Sequence, residues 1–143
     1  GDRICLSTPA LAGHYWPHEK ITQTFVTGDR GKIHADGRLE ILGRADRIII
    51  SGGEKIDPSI IEQILLKTGL AQEVHVWGEP HPRWGQQVTA FVVGSAVHET
   101  SLRAALNTLA PAHRPKEIIF GATLPLDNRG KFDVLQALAL RKN

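Results

Sequence analysis

Methionine is absent from all 143 residues, and cysteine occurs once, at Cys5. One thiol cannot close an internal disulfide, so the fold must be held by packing and hydrogen bonds; a reducing, cytoplasmic setting is the simpler expectation. The absent Met, together with a strand-like start, leads us to expect a piece of a longer polypeptide. No apolar run approaches the ~20 residues that span a bilayer. The start Gly1-Asp2-Arg3-Ile4-Cys5-Leu6 lacks the basic-then-apolar layout of a signal peptide. Charge of one sign is also scarce: the net value is +2, with no dense Lys/Arg block, which argues against nucleic acid as a partner. Arg30, Lys32, Arg38, Arg44 and Arg47 alternate with Asp29, Asp36, Glu40 and Asp46, the pattern of a solvated surface of mixed sign.

Several chemistries are missing as well. The seven histidines give no metal-ligand spacing. His14 and His18 stand four apart, but Pro17 disfavours the helix that would converge them, and His75, His81, His98 and His113 fall in separate elements. No Gly-x-Ser-x-Gly nucleophile elbow occurs. The stretch Pro125 to Lys131 is not a phosphate-binding loop of the Walker type, because Pro125 replaces its first glycine and Phe132 its Ser/Thr.

What remains is ordinary globular material, 41% hydrophobic and 22% charged. Chains near this length can bury about 70% of their extended surface. The first 45 residues read as short strands and turns: Arg3 to Ser7, then Thr22 to Val26 after breaks at Pro9 and Gly13. A hairpin follows, 31–34 against 38–42, because Asp36-Gly37 between alternating runs is a strong hairpin signal. With no helix between them these strands are antiparallel, and with few large apolar residues they need a partner surface to bury a core. After Asp46 the texture changes. Arg47 to Ile50 is β-branched and Ser51-Gly52-Gly53 is a loop. Asp57-Pro58 opens a helix with an N-cap Asp and Pro at the first position, and Gly69 closes it. Strands at Glu73–Trp77 and Gln87–Val93 come next, with Trp77 and Trp84 as packing anchors around the loop between them. A helix at Thr100–Leu109, capped by Thr100 or Ser101, a strand at Lys116–Phe120 and a helix at Phe132–Leu140 with Leu135, Leu138 and Ala139 inward complete the chain. The order β-α-β-β-α-β-α predicts an α+β domain, a short sheet covered by helices.

A few residues carry candidate chemistry, each with a plain alternative. Asp29 after Thr27-Gly28 offers two acceptor oxygens to the vicinal hydroxyls of a ribose, or else satisfies its own turn. Arg44 can donate a planar fork to ribose or phosphate, or simply end a strand at the surface. Gly52 and Gly53 permit positive φ and close passage of a thin ligand chain, or a tight connection. Lys131, presented by Gly130, can set an ammonium against a phosphate or carboxylate, or sit solvated.

The order of these segments adds what none gives alone. Thr27-Gly28-Asp29, Asp36-Gly37-Arg38-Leu39, Gly43-Arg44-Ala45-Asp46, Ile49-Ile50-Ser51-Gly52-Gly53-Glu54, Trp84-Gly85-Gln86 and Pro125 to Lys131 together resemble the C-terminal third of adenylate-forming acyl-CoA synthetases, across essentially the whole chain. This superfamily includes luciferase and peptide-synthetase adenylation domains. Within it, Ile49 to Ile56 with Trp84-Gly85 are most similar to 2-succinylbenzoate–CoA ligases of menaquinone or phylloquinone synthesis.

The resemblance implies an acid–thiol ligase using ATP, Mg2+ and coenzyme A. A small-molecule carboxylic acid is first joined to AMP with loss of pyrophosphate, and the CoA thiol then displaces AMP. It assigns Asp29 and Arg44 to the nucleotide, Lys131 to catalysis of the first half, Asp46 to the hinge, and Ser51, Gly52 and Gly53 to the passage of CoA. Residues 1–45 would be the tail of a large N-terminal domain that holds most of the Mg2+ and acyl site, and 46–143 a mobile C-terminal domain, inactive alone. The family often has a second acidic residue after the hinge aspartate, where this chain has Arg47. Other readings stay open: another aryl- or fatty-acyl ligase, an adenylation domain that loads a downstream carrier protein, or a non-enzymatic binding module with its own start codon.

Overall fold

The computed structural model describes residues 2–11 and 24–141, and the backbone alone of 14–15 and 19–20. The expectations placed on Gly13, Pro17, the side chains of His14 and His18, and Thr22 lie outside the described residues. The chain divides into two compact units, 1–47 and 48–143.

In the first unit, strands β1 (Arg3–Leu6), β4 (Phe25–Ile33) and β5 (Leu39–Arg44) form an antiparallel sheet in the order β1-β4-β5. Between them, β2 (His14–Tyr15) and β3 (Glu19–Lys20) pair with each other. The β4–β5 hairpin turns at Asp36-Gly37, where Gly37 takes φ 83° and Arg38 donates to Asp36 Oδ1 at 3.1 Å. Its register sets Asp29 opposite Arg44 and Ile33 opposite Leu39. Among the described residues of this unit none is buried, and Ile33, Leu39 and Ile41 stand exposed. That matches the expectation that this segment builds no core of its own. A 3-10 turn, Ala45–Arg47, ends the unit.

The second unit is an α+β fold with one more strand than the sequence pattern predicts. Ile49–Ser51 (β6) and Glu54–Ile56 (β7) pair antiparallel around Gly52-Gly53, so the glycine loop is the turn of a β-hairpin. Helix α1 (Pro58–Lys67) begins as expected: Asp57 accepts from the Ser59 amide at 3.0 Å and Pro58 occupies the first turn. Gly69 follows the helix at φ 70°.

Strands β8 (Ala71–His81) and β9 (Gly85–Gly94) form a long antiparallel hairpin. The expected loop between Trp77 and Trp84 is therefore mostly strand. Gly78 to His81 continue β8, so His75 and His81 share one strand instead of the separate elements expected, and only Pro82 to Trp84 turn. β8 pairs with β9 alone among the described strands, and an edge strand of this kind is where a proline such as Pro80 is tolerated. β10 (Glu117–Gly121) runs parallel to β9, which requires a crossover, and helix α2 (Glu99–Ala105) supplies it. The expected caps Thr100 and Ser101 are not used. Ser95 instead accepts from the Val97 amide and starts a 3-10 turn, Ala96–His98, from which the helix continues.

β9 lies between two apolar clusters. Val88 through Val93 are all buried, because one face packs on α1 and α2 and the other on the C-terminal segment. Val88, Ala90 and Val92 join Ile61, Leu65, Leu102 and Leu106; Phe91 and Val93 join Ile119, Trp77 and Phe132. Helix α3 (Val134–Ala139) is shorter than expected and turned differently: Ala137 is buried, Leu138 packs on the core, but Leu135 is 80% exposed and Ala139 is exposed. Phe132, just before the helix, does the packing that Leu135 was expected to do. Among the described residues no helix is long and apolar enough to cross a membrane.

Candidate active site

Asp29, Arg44 and Asp46 are gathered by the β4–β5 register and the turn after it. The Arg44 fork grips Asp46 through both oxygens, Nε to Oδ1 at 2.9 Å and Nη2 to Oδ2 at 2.7 Å. Its remaining nitrogen, Nη1, stands 3.6 Å from Asp29 Oδ1. The fork's bidentate bond holds the Asp46 carboxyl below the usual carboxylate range and raises Arg44 in turn. Gly28 makes room for this arrangement: a Cβ there would lie 2.6 Å from Arg44 Nη2. The Thr27 hydroxyl accepts from the Asp29 amide at 3.0 Å and fixes the backbone before the carboxylate. Arg44 thus faces two carboxylates, Arg3 adds a weaker attraction on Asp46, and Asp29 keeps oxygen capacity for further donors.

Ser51, Gly52 and Gly53 form the β6–β7 turn. Gly52 and Gly53 have φ 58° and 87°, the pair of positive values that a tight two-residue hairpin demands. The Gly52 amide donates to the Trp84 carbonyl at 2.9 Å, which ties the turn to the end of the β8–β9 hairpin. Beside it lies a cleft of about 160 Å³ lined by Ser51, Gly52, Glu54, Trp84, Ala112 and Lys116. Trp84 is 40% exposed there, with the Arg83 guanidinium 4.6 Å over its ring, so it is not the packing anchor expected of it; Trp77 is. Sequence reasoning missed this cleft, because Lys116 and Trp84 meet only through the fold.

Lys131 stands on a separate turn and does not line that cleft. Asp127 to Gly130 close a β-turn, with the Gly130 amide donating to the Asp127 carbonyl at 2.9 Å. Gly130 at φ 74° then allows the Asp127 amide to reach the Lys131 carbonyl at 2.7 Å, a turn followed by a one-residue bulge. Lys131 is exposed, and its Nζ makes no hydrogen bond or ion pair with any described residue. The exposed ammonium, with the Asp127 carboxylate as a coulombic neighbour on the same turn, is left open to a further anion. Among the described residues no three His, Cys, Asp or Glu side chains cluster to hold a metal, so a magnesium ion used with ATP would need ligands from elsewhere.

Residues 60–131 match the family described as the AMP-binding enzyme C-terminal domain. A peroxisomal trans-cinnamate:CoA ligase of Petunia hybrida is 34% identical over 98% of this chain and 26% of its own length. A 2-succinylbenzoate–CoA ligase of Lactococcus lactis is 35% identical over 90% of the chain and 28% of its own. Among solved structures, the o-succinylbenzoate CoA synthetase of Bacillus subtilis with its acyl-adenylate intermediate superposes with a TM-score of 0.75 and 28% identity, over 91% of this chain and 28% of that one. The chain therefore spans about a quarter of the length of these relatives.

Proposed function

The chain belongs to the AMP-binding enzyme C-terminal domain family, and from that premise we propose that it works as the closing portion of an ATP-dependent acid–thiol ligase. The ligase forms an acyl-adenylate and then a CoA thioester, with 2-succinylbenzoate as the acid. One observation carries this reading: Lys131 presents, from the hydrogen-bonded Asp127–Gly130 turn, an exposed ammonium that no described residue takes in a hydrogen bond or ion pair.

In the first half-reaction the carboxylate attacks the α-phosphate of ATP, and negative charge accumulates around phosphorus as pyrophosphate leaves. Lys131 offers a fixed positive charge to the attacking carboxylate oxygen and the phosphate together. Such a preorganised charge contributes about 10²–10³ in rate. Asp29 accepts from the ribose hydroxyls, and the spare edge of Arg44 supports it. A magnesium ion accompanying ATP would supply charge neutralisation at the phosphates, on ligands from residues outside this chain. In the second half-reaction Asp46 serves as the hinge between residues 1–45 and 46–143. The Gly52-Gly53 hairpin then borders the pantetheine path, where the absence of side chains leaves room for a thin chain. The cleft beside it, with Trp84 and Lys116, suits the anionic, aromatic far end of CoA. Alone, this chain holds too little of the site to turn over.

The test uses the full-length parent enzyme with ATP and 2-succinylbenzoate. Pyrophosphate and acyl-adenylate should form when CoA is withheld, and the thioester with AMP when CoA is added. Release of ADP and phosphate in place of AMP and pyrophosphate would overturn the reading. Turnover confined to other acids would overturn the substrate alone.

A further inference from the structure

Lys131 reaches outward only because the chain beneath it is tied in two ways, and both ties come from residues with no assigned role. The first is Asp127. Its Oδ1 accepts from the Arg129 amide at 2.9 Å and from the Lys131 amide at 2.9 Å, so one oxygen fixes the two peptide planes that aim the lysine. Its Oδ2 takes Arg129, Nη2 at 3.1 Å and Nε at 3.2 Å. The amides of Lys131 and Arg129 also hold this carboxyl below its ordinary range.

The second tie is Phe132. Its ring stacks on His75 with centroids 4.0 Å apart, tilts against Trp77 at 5.2 Å and meets Phe91 edge-on at 6.0 Å. Phe91 is fully buried, with its ring tip close over Gly121, where an added Cβ would sit only 2.4 Å from its Cζ. Leu126 bridges Phe132 across the hairpin, and the Asp133 amide donates to the Pro125 carbonyl at 2.9 Å. Lys131 therefore stands between a half-buried side chain packed against the core and a carboxylate that staples its own amide.

We infer that Asp127 is a positioning residue for Lys131, acting from inside the turn while Phe132 anchors the turn to the sheet. This rests on the reading of Lys131 given above and goes one step further. The amide acceptor at 127, not its charge, sets the direction of the ammonium. A displacement of about 1 Å at such a group can cost as much as 10²-fold.

The experiment measures the two half-reactions separately in the full-length parent enzyme: pyrophosphate release from ATP and acid, and thioester formation from supplied acyl-adenylate and CoA. Asp127→Ala should slow the first by about tenfold to a hundredfold at saturating ATP and leave the second within about twofold. Asp127→Asn, which keeps the Oδ1 acceptor and loses the charge, should recover most of the first. Three results overturn the inference: full first-half activity in Asp127→Ala, equal loss of both halves, or Asn no better than Ala. Lys131→Ala in the same assay separates this failure from the larger one. If Lys131→Ala abolishes the first half while Asp127→Ala does nothing, only the positioning role falls. If Lys131→Ala itself is silent, the reading of Lys131 falls with it.

Discussion

At Arg44 one guanidinium faces two carboxylates, Asp46 through a bidentate bond and Asp29 at 3.6 Å. The pairing of residues 29 and 44 rests on a β-bulge between Arg30 and Gly31, without which the 33–39 register would set Asp29 opposite Gly43; the two residues themselves were legible in the sequence as candidates. The capture of Asp46 was not, because it depends on a 3-10 turn that folds the chain back two residues after the strand. The space for the fork is set by Gly28. A methyl there meets the far end of a flexible side chain, so the fold should survive, but the guanidinium must move. Gly28→Ala is thus expected to weaken the Asp46 bond and raise the Asp46 midpoint towards the ordinary carboxylate value of about 3.9. A carbon-detected NMR titration of Asp46 in this chain reads the shift; an unmoved midpoint would mean that the fork tolerates the methyl. Asp127 was hidden for a different reason. Its position three before a glycine marks a turn, yet nothing in the string shows that the carboxylate is aimed at the lysine's amide.

Among the elements, α1 was the most readable, because its cap, its first-turn proline and its terminal glycine are local signals. The C-terminal segment was the least. Leucines at 135 and 138 read as an inward stripe, but six helical residues give too little length for periodicity to decide, and Phe132 takes the buried place first. The segment is instead fastened by Arg141, just past α3. It reaches Glu79 on β8 at 2.7 Å and Glu117 on β10 at 2.6 Å. Burial pushes Glu79 upward, but hydrogen bonds from Arg141, Gln87 and Thr89 outweigh it and leave its carboxyl below its ordinary value. A depressed native value stabilises above the unfolded value, near 4.5, and that share is lost as pH falls through the lower native one. Arg141→Ala should therefore cost about 1–3 kcal/mol at pH 7, by leaving Glu79 largely enclosed and short of a partner. The deficit should shrink below pH ~4 as Glu79 takes up a proton. Urea unfolding at both pH values checks this, and a deficit that ignores pH would assign Arg141 to packing alone.

For the whole molecule, the two units explain why a chain of ordinary composition carries so incomplete a site. The second unit has a two-sided core and folds around β9. The first has a three-stranded sheet and a two-stranded pair, exposed apolar side chains and no buried residue among those described. The α+β class and the change of texture near Asp46 could be read from the sequence, since helix caps and hairpin dipeptides are local. The β8–β9 length, the β6–β7 pairing and the Trp84 cleft could not, since each depends on contacts between distant segments. In the proposed enzyme Asp29, Arg44 and Asp46 keep the nucleotide edge and the hinge in one charge network, while the second unit offers Lys131 on one turn and the Gly52-Gly53 hairpin on another. Two presenting turns on one unit fit a cycle in which each serves a different step.

The sharpest measurement of that claim is the pair of single-turnover rates for Lys131→Ala in the full-length enzyme, followed by quenched flow. Acyl-adenylate formation should fall by at least about 10², with thioester formation from supplied adenylate and CoA within about twofold of the unsubstituted enzyme. A parallel fall in both rates, or an unchanged first rate, would contradict the delivery of this one ammonium group to the first step alone.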